Sequence, residues 1–578
     1  MAVTPRWLPG LVCVALYWFV IQSMKLFAES NYLIFMATFV GPMITALLFF
    51  VIWLGFSRRS WNERGFGMLM FVVTGALAGW LAHSTMKFGL ILYGLPTLLT
   101  TWAVWGWVTR LTASLGSRRV TLALTMLVTA SYYCLLRLDG VTGGMKSELS
   151  WRWSPTSEEN FLATVKRTTE EKPASAESAS AEIVAQPGDW IGFRGPNRDG
   201  IVSGVRIETD WVAHPPKLEW KHAIGPGWSS FAVVGGRLFT QEQRGDDECV
   251  TCYDAATGHE LWCHRDAVRF FETVAGAGPR GTPQFHEGKL FAHGASGHLF
   301  CLDAATGKRL WMADVKGDSK AETPIWGFSG SPLITDGIVA MMPGGPNGAS
   351  VVGYRIDNGE LAWKAGTGVS GYISAHLVEM HGQRLLIALT SDGAMAIEPA
   401  TGRSLWQHKW VSEQEIRISQ PMLVEPSQLL IPTGQTLGSR LIDVKLNGDQ
   451  WDVSEVWTSR DLKPYFNDYV QHVGHVFGFD GGLFCCIDLA TGKRAWKKGR
   501  YGHGQALLLA EQGLLLVLSE TGEVALLEAN PKSHVELAKI PVIEGKTWNH
   551  PVLVRDQLFV RNGEQIACFK LALATSSK

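Results

Sequence analysis

Not one Asp or Glu lies inside the five long apolar segments that fill the first 140 residues, at roughly 7–24, 33–56, 66–82, 88–109 and 120–136. Each approaches the ~20 helical residues that cross a hydrocarbon core. Five in succession without an acid exclude a run of buried soluble helices, and a cleaved signal peptide would account for the first alone. An excess of one charge is also missing. The 52 basic and 53 acidic residues give no reason to expect a nucleic-acid partner. Cysteine is sparse, nine in 578 residues. Cys249-x-x-Cys252 has no second pair and no paired His, so the spacing supplies no metal set, and in a strand the two thiols face opposite sides. No local signature of a hydrolase or kinase occurs. "TGKR" at 306–309 lacks the upstream Gly and the Ser/Thr of a phosphate loop.

Basic residues orient the apolar segments. Arg58, Arg59 and Arg64 lie between the second and third, and Arg110, Arg118 and Arg119 between the fourth and fifth. The other two loops carry little beyond Lys25 and Lys87. The positive-inside rule puts the N-terminus, with Arg6, in the cytoplasm, and five crossings deliver everything past residue 140 outside it. His83 is the one titratable candidate at membrane depth, with a solvated loop-edge histidine as the other reading. Residues 141–188 read as a juxtamembrane segment and linker. Trp151 and Trp153 suit the membrane interface or packing on the soluble domain, and 166–188, rich in Ala, Ser, Glu and Pro, reads as a disordered tether.

The rest of the chain repeats itself. "CYDAATGHELW" (252–262), "CLDAATGKRLW" (301–311) and "CIDLATGKRAW" (486–496) are near copies. A Gly followed four residues later by Trp recurs at Gly258/Trp262, Gly307/Trp311, Gly359/Trp363, Gly402/Trp406 and Gly492/Trp496, with a divergent copy ending at Trp457. Intervals of roughly 40–50 residues mark a propeller or solenoid unit. Asp254, Asp303 and Asp488 start a turn by accepting from backbone amides, and the Gly supplies a positive φ. The Trp then covers the seam between adjacent sheets. Cys252, Cys301, Cys486 and Cys568 share one position, where other units hold Gly353 and Ala396, so the slot takes a small buried residue.

Strand pairs begin near Phe231, Pro283, Pro332, Ala375, Pro421, Val470, Ala506 and Pro551, which gives eight four-stranded blades, a seven-bladed ring with an insertion being the alternative. The last blade runs out of chain. "KLEWKHA" at 217–223 is a spare outer strand that completes it and removes the open edge. The expected architecture is therefore a helical transmembrane bundle (1–140), a linker (141–188), a lead-in (189–216), an all-β eight-bladed propeller (217–571) and a short tail (572–578).

The turn-and-Trp repeat, with the lead-in "DWIGFRGPNRDG" (189–200), resembles the PQQ-like (pyrroloquinoline-quinone repeat) β-propellers over about 189–571. That family includes quinoprotein dehydrogenases and the lipoprotein of the outer-membrane β-barrel assembly machinery. Helices followed by an eight-bladed propeller are similar to membrane-bound quinoprotein glucose dehydrogenases. That resemblance implies PQQ with Ca²⁺ or Mg²⁺ and electron transfer to membrane quinone. The propeller here is shorter than theirs, and no Asp base or Glu/Asn metal pair aligns. The resemblance also implies a Cys485–Cys486 disulfide, a place the repeat already explains for Cys486. The residues by themselves assign no cofactor.

Chemistry in a propeller collects where loops lead into the innermost strands. Those loops carry Arg280, Glu322, Trp326, Asn467, Asp468, Arg500, His503, Gln505, Trp548, Asn549 and His550, beside Lys546. Together they suit an anionic or planar ligand, or else they satisfy loop backbone and neighbouring blades. The expected function is a membrane-anchored, extracytoplasmic binding or scaffold module for a protein or small ligand rather than an enzyme. The alternative is a PQQ-dependent dehydrogenase of a sugar or alcohol.

Overall fold

The computed structural model describes residues 8–27, 31–57, 59–109, 114–144, 146–171, 183–412, 417–424, 426–434 and 437–574. Arg6, Arg58, Arg110 and linker residues 172–182 lie outside them. The chain forms two compact units, Met1–Pro155 with Thr273–Ala275, and Thr156–Glu272 with Gly276–Lys578.

The first unit contains the helices Leu8–Phe27, Asn31–Val51 (continued by a π-helical turn, Ile52–Phe56), Trp61–Leu81, Leu95–Val108 (preceded by Met86–Gly89 and a π-turn, Leu90–Gly94) and Leu115–Cys134. Three stretches are long and apolar enough to cross a membrane: Ala37–Phe56, Trp61–Leu81 and Met86–Val108. The apolar stretch of the first helix, Leu8–Met24, is shorter. The last helix carries Arg118 and Arg119 in its opening turns. The third helix starts before its apolar run because Ser60 and Glu63 form a capping box there. Trp102 is fully buried against Phe49, Phe50, Trp53 and Phe71. The outward face stays apolar, with Phe19 70%, Leu47 65% and Trp80 80% exposed. A surface of that kind is stable against lipid rather than water. A hairpin, Leu136–Val141 with Ser147–Trp151, follows.

The second unit is the propeller. Its eight sheets each take four strands, one of them extended to five. Blade 2 is representative, with strands Gln284–His286, Lys289–His293, His298–Asp303 and Arg309–Asp314 in antiparallel order. Lys217–Ala223 pairs with Gln565–Lys570 as the outer strand of blade 8, Trp220 opposite Cys568. The ring is thus closed by its own first strand.

The recurring eleven residues are an interlock between blades. Asp303 accepts from the Thr306 amide and hydroxyl at 2.8 and 2.7 Å, which sets the turn. Gly307 then adopts φ +71°, and a Cβ on it would stand 2.5 Å from the Trp262 ring of the preceding blade. The indole N–H groups of Trp220, Trp262, Trp311, Trp363, Trp457 and Trp496 donate to backbone carbonyls of the following blade at 2.9–3.1 Å. The small slot is explained by pairing: Cys252, Cys301, Gly353, Ala396, Cys486 and Cys568 each lie opposite the Trp of their own blade. Blade 5 departs from this pattern. Its outer hairpin, Ser439–Asn447 with Gln450–Ser459, has no such turn, and the buried Trp406 indole facing that junction has no hydrogen-bond partner among the described residues.

One expectation is corrected. Ser157–Glu171 is a helix, so 166–171 do not belong to a tether. The helix docks on blade 1: Glu158 pairs with Arg269 at 2.8 Å, Arg244 stacks over Phe161, and Ile183 beyond it is buried against Ala232 and Val234. Cys485 and Cys486 are free thiols packed into different clusters, one with Leu430 and Leu441, the other with Leu515 and Val517. Alternation along one strand sends neighbours to opposite faces, so the implied disulfide does not form.

Candidate functional site

The lead-in occupies the centre of the ring. Trp190 exchanges backbone bonds with Val233 of blade 1 (2.9 and 2.7 Å), and the Phe285 amide of blade 2 donates to Ile191. Arg198 donates to the carbonyls of Pro332 (2.8 Å) and Ser331 (3.3 Å) at blade 3. Arg194 donates to Tyr469 O of blade 6 at 2.6 Å, and Gly200 O accepts from Leu508 of blade 7. Arg555 of blade 8 pairs with Asp189. Residues 189–202 therefore cross the channel and floor its mouth, ending as a short parallel strand, Ile201–Val202, on blade 7.

Above this floor the loops leading into blades 6, 7 and 8 interlock. Asn467 donates to Gly504 O (2.7 Å) and faces His503 Nδ1 at 3.3 Å. Gln505 donates to Phe466 O and Trp548 O, and its own carbonyl accepts from the Asp468 amide. Asn549 donates to Ser229 O (2.7 Å), and Ser230 donates to His550 O. One Asp468 oxygen accepts from the Gln420 amide at 2.7 Å. The other faces His550 Nε2 at 3.2 Å and Arg194 Nε at 3.6 Å. Burial pushes the Asp468 carboxyl up, but Arg194 and His550 outweigh it and hold it below the usual range. Burial also pushes His550 down.

Of the residues the sequence points to, Asn467, Asp468, His503, Gln505, Trp548, Asn549 and His550 converge, and Trp326 joins them through aromatic contacts. Arg280 sits apart, paired with Glu272 at 3.2 Å and stacked on Phe270, its guanidinium lowered by burial to about 10. Glu322 is exposed. Arg500 ends the outermost strand of blade 6, Arg494–Arg500, and is also exposed, so it is not a mouth residue.

Sequence reasoning missed two sets. One is Phe193, Arg194 and Arg198, whose signal is two arginines inside a Gly-rich lead-in. The other is a run of half-buried rings: Trp228, Trp548, Phe466, Tyr465, Trp326 and Tyr372. Their centroids are 4.8, 5.0, 5.3, 6.4 and 5.3 Å apart in that order. They come from the loops before blades 1, 8, 6, 3 and 4. Lys546 lies over both Trp228 and Trp548. Trp548 donates to Glu520 at 2.9 Å, which also accepts from the His503 amide.

A family profile described as outer membrane protein assembly factor BamB matches residues 246–498. The BamB of Burkholderia pseudomallei is 25% identical over 372 residues, 59% of this chain and 88% of that protein. The chain is thus similar to the PQQ-like propellers. The quinohemoprotein alcohol dehydrogenase ADH-IIG of Pseudomonas putida is 26% identical over 204 residues, 33% of this chain, and the chain spans only 27% of that enzyme's length. Among solved structures, the quinohemoprotein alcohol dehydrogenase of Comamonas testosteroni superposes with a TM-score of 0.50 over 73% of this chain and 85% of its own, at 13% identity, a likeness of fold alone.

A PQQ-like propeller with a quinone cofactor needs Ca²⁺ or Mg²⁺ on free oxygen ligands. The mouth of this one does not fit. Asp468 already has both oxygens engaged, with a guanidinium 3.6 Å away. Glu520 is held by an indole and an amide. A further arginine, Arg198, and Lys546 make the surroundings cationic.

Proposed function

We propose that this chain is a membrane-anchored PQQ-like propeller, displayed outside the cytoplasm, whose ring-lined mouth binds a protein segment or small ligand. The observation that carries the reading is the run of six half-buried rings drawn from five loops, above a channel filled by the chain's own lead-in. Aromatic faces supply large contact area with little side-chain entropy to lose, which suits recognition. The interlocked polar groups beneath hold the loops rigid, so a ligand meets a preformed surface. The relatives named as assembly factors favour a protein partner.

The relatives named as quinohemoproteins favour a second reading, a PQQ-dependent dehydrogenase. Purified protein mixed with PQQ and Ca²⁺ or Mg²⁺ and assayed for dye-linked oxidation of sugars and alcohols separates the two. The binding-module reading expects no turnover. Turnover that vanishes in an Arg280→Ala/His503→Ala variant would overturn it. A photo-crosslinking residue at Trp548 should trap a partner in cells where one at exposed Leu310 on blade 2 does not. Alkaline phosphatase fused after Lys578 should be active, as an extracytoplasmic propeller requires.

A further inference from the structure

We infer that the channel binds a small monovalent anion, held by the guanidinium groups of Arg194 and Arg198 and the ring of His376. This site lies in the floor, beneath the rings, and stands whether or not the mouth binds a partner.

The argument begins with charge. Arg194 and Arg198 are each only 4% exposed. One carboxylate, Asp468, reaches them, and Arg194 already shares it with His550 at 3.6 and 3.2 Å. Arg198 has no carboxylate within ion-pair distance, only the neutral carbonyls of Ser331 and Pro332 and the face of the Phe193 ring at 5.7 Å. The other acids of the lead-in are committed elsewhere. Asp199 caps the Ile201 amide at 2.9 Å, and Asp189 pairs with Arg555. Two buried cations against one anion leave a single positive charge in the lumen. Leaving a charge unpaired in a protein interior is strongly unfavourable, and carbonyl dipoles reduce that without cancelling the charge.

The hydrogen-bond inventory points the same way. Arg198 Nε and His376 Nδ1 are buried without a hydrogen-bond partner among the described residues, and Arg194 Nε has no partner nearer than the Asp468 carboxylate at 3.6 Å. His376 is 5% exposed on the innermost strand of blade 4, His376–Met380, and is electrostatically coupled to both arginines and to Asp468. Burial and then the two arginines push this ring down to about 3, so it is neutral and adds no charge. Arg198 is lowered to about 9 by burial and then by Arg194. A halide accepts from several N–H groups at once and donates to none, which matches a set of spare donors. Water would satisfy the donors and leave the charge. Both arginines also hold φ of +58°, a conformation that disfavours a side chain of this size, so the backbone is strained to keep them in place.

The test uses the full-length protein in detergent. Gluconate is replaced by bromide at constant ionic strength while thermal unfolding is followed, and crystals grown in bromide are measured at the bromine edge. The expected result is a midpoint that rises with bromide, as ligand binding to the folded state requires, and an anomalous peak within hydrogen-bond distance of Arg198. Arg198→Asn should abolish both. If that variant does not fold, the wild-type peak still decides. Acetate forms a second arm. A rise with acetate and not bromide supports the site and assigns it to the carboxylate of a larger ligand. Equal midpoints in all three anions, or bromide on surface lysines and arginines only, overturn the inference.

Discussion

Gly307 and Gly288 have nearly the same backbone, φ +71° and +73°, and differ in what surrounds them. A Cβ at 288 meets nothing within 4 Å, whereas at 307 it collides with the Trp262 ring. Gly288→Ala should destabilise by about 1 kcal/mol, the strain of a left-handed alanine. Gly307→Ala should lose about 3 kcal/mol, because overpacking adds to that strain. Chemical unfolding of the two variants checks the difference. Trp406 offers a second comparison. Trp311→Phe forfeits a hydrogen bond to Ile356 O at 3.0 Å, and Trp406→Phe forfeits none. The first should therefore be the more destabilising by about 1 kcal/mol, read from the same unfolding curves.

At the level of elements, blade closure rests on Lys217–Ala223. Trp220→Ala removes a ring buried against Phe559 and its bond to Ala255 O, and should destabilise by about 3–5 kcal/mol. A mid-strand exposed residue such as Lys221→Ala should change little, and thermal unfolding separates the two. This strand was legible in the sequence, as were the eight blade starts, because turn residues, the spaced Trp and the small slot are local signals. The path of the lead-in was not. Arg198 meets Pro332, and Arg194 meets Tyr469, across 134 and 275 residues respectively, and no local pattern encodes such a distance. Arg500 misled for the opposite reason: it stands next to a mouth loop in sequence but ends a strand. The helix Ser157–Glu171 did have a signal. Thr156 and Glu159 form a reciprocal cap, at 3.0 and 2.7 Å, which the Ala- and Ser-rich composition beyond it obscured.

For the molecule as a whole, buried imidazoles set the response to acid. Burial lowers His293 to about 4 and His376 to about 3, against an ordinary 6.5. The unfolded chain then takes up more protons, so stability is complete above 6.5 and falls as pH drops toward the folded values. Each ring forfeits about 1.4 kcal/mol per pH unit. Glu248, raised by burial to about 7, works in the other direction: its share is present below its ordinary 4.5 and lost as pH rises toward 7. It offsets one of the two rings. The unfolding midpoint should therefore fall between pH 6.5 and 5, less steeply in His376→Asn and more steeply in Glu248→Gln. Asp468, being depressed, loses its contribution only below the ordinary 3.8 and does not act in this window. The closure of the ring also dictates a timetable. Residues 217–223 leave the ribosome hundreds of residues before their partner, 565–570, so the first-made strand waits while the intervening blades are synthesised. Until then the waiting strand presents unpaired edges open to other chains. Sealing the ring is therefore a late event in the life of each molecule, and a chain truncated before residue 565 can never reach it.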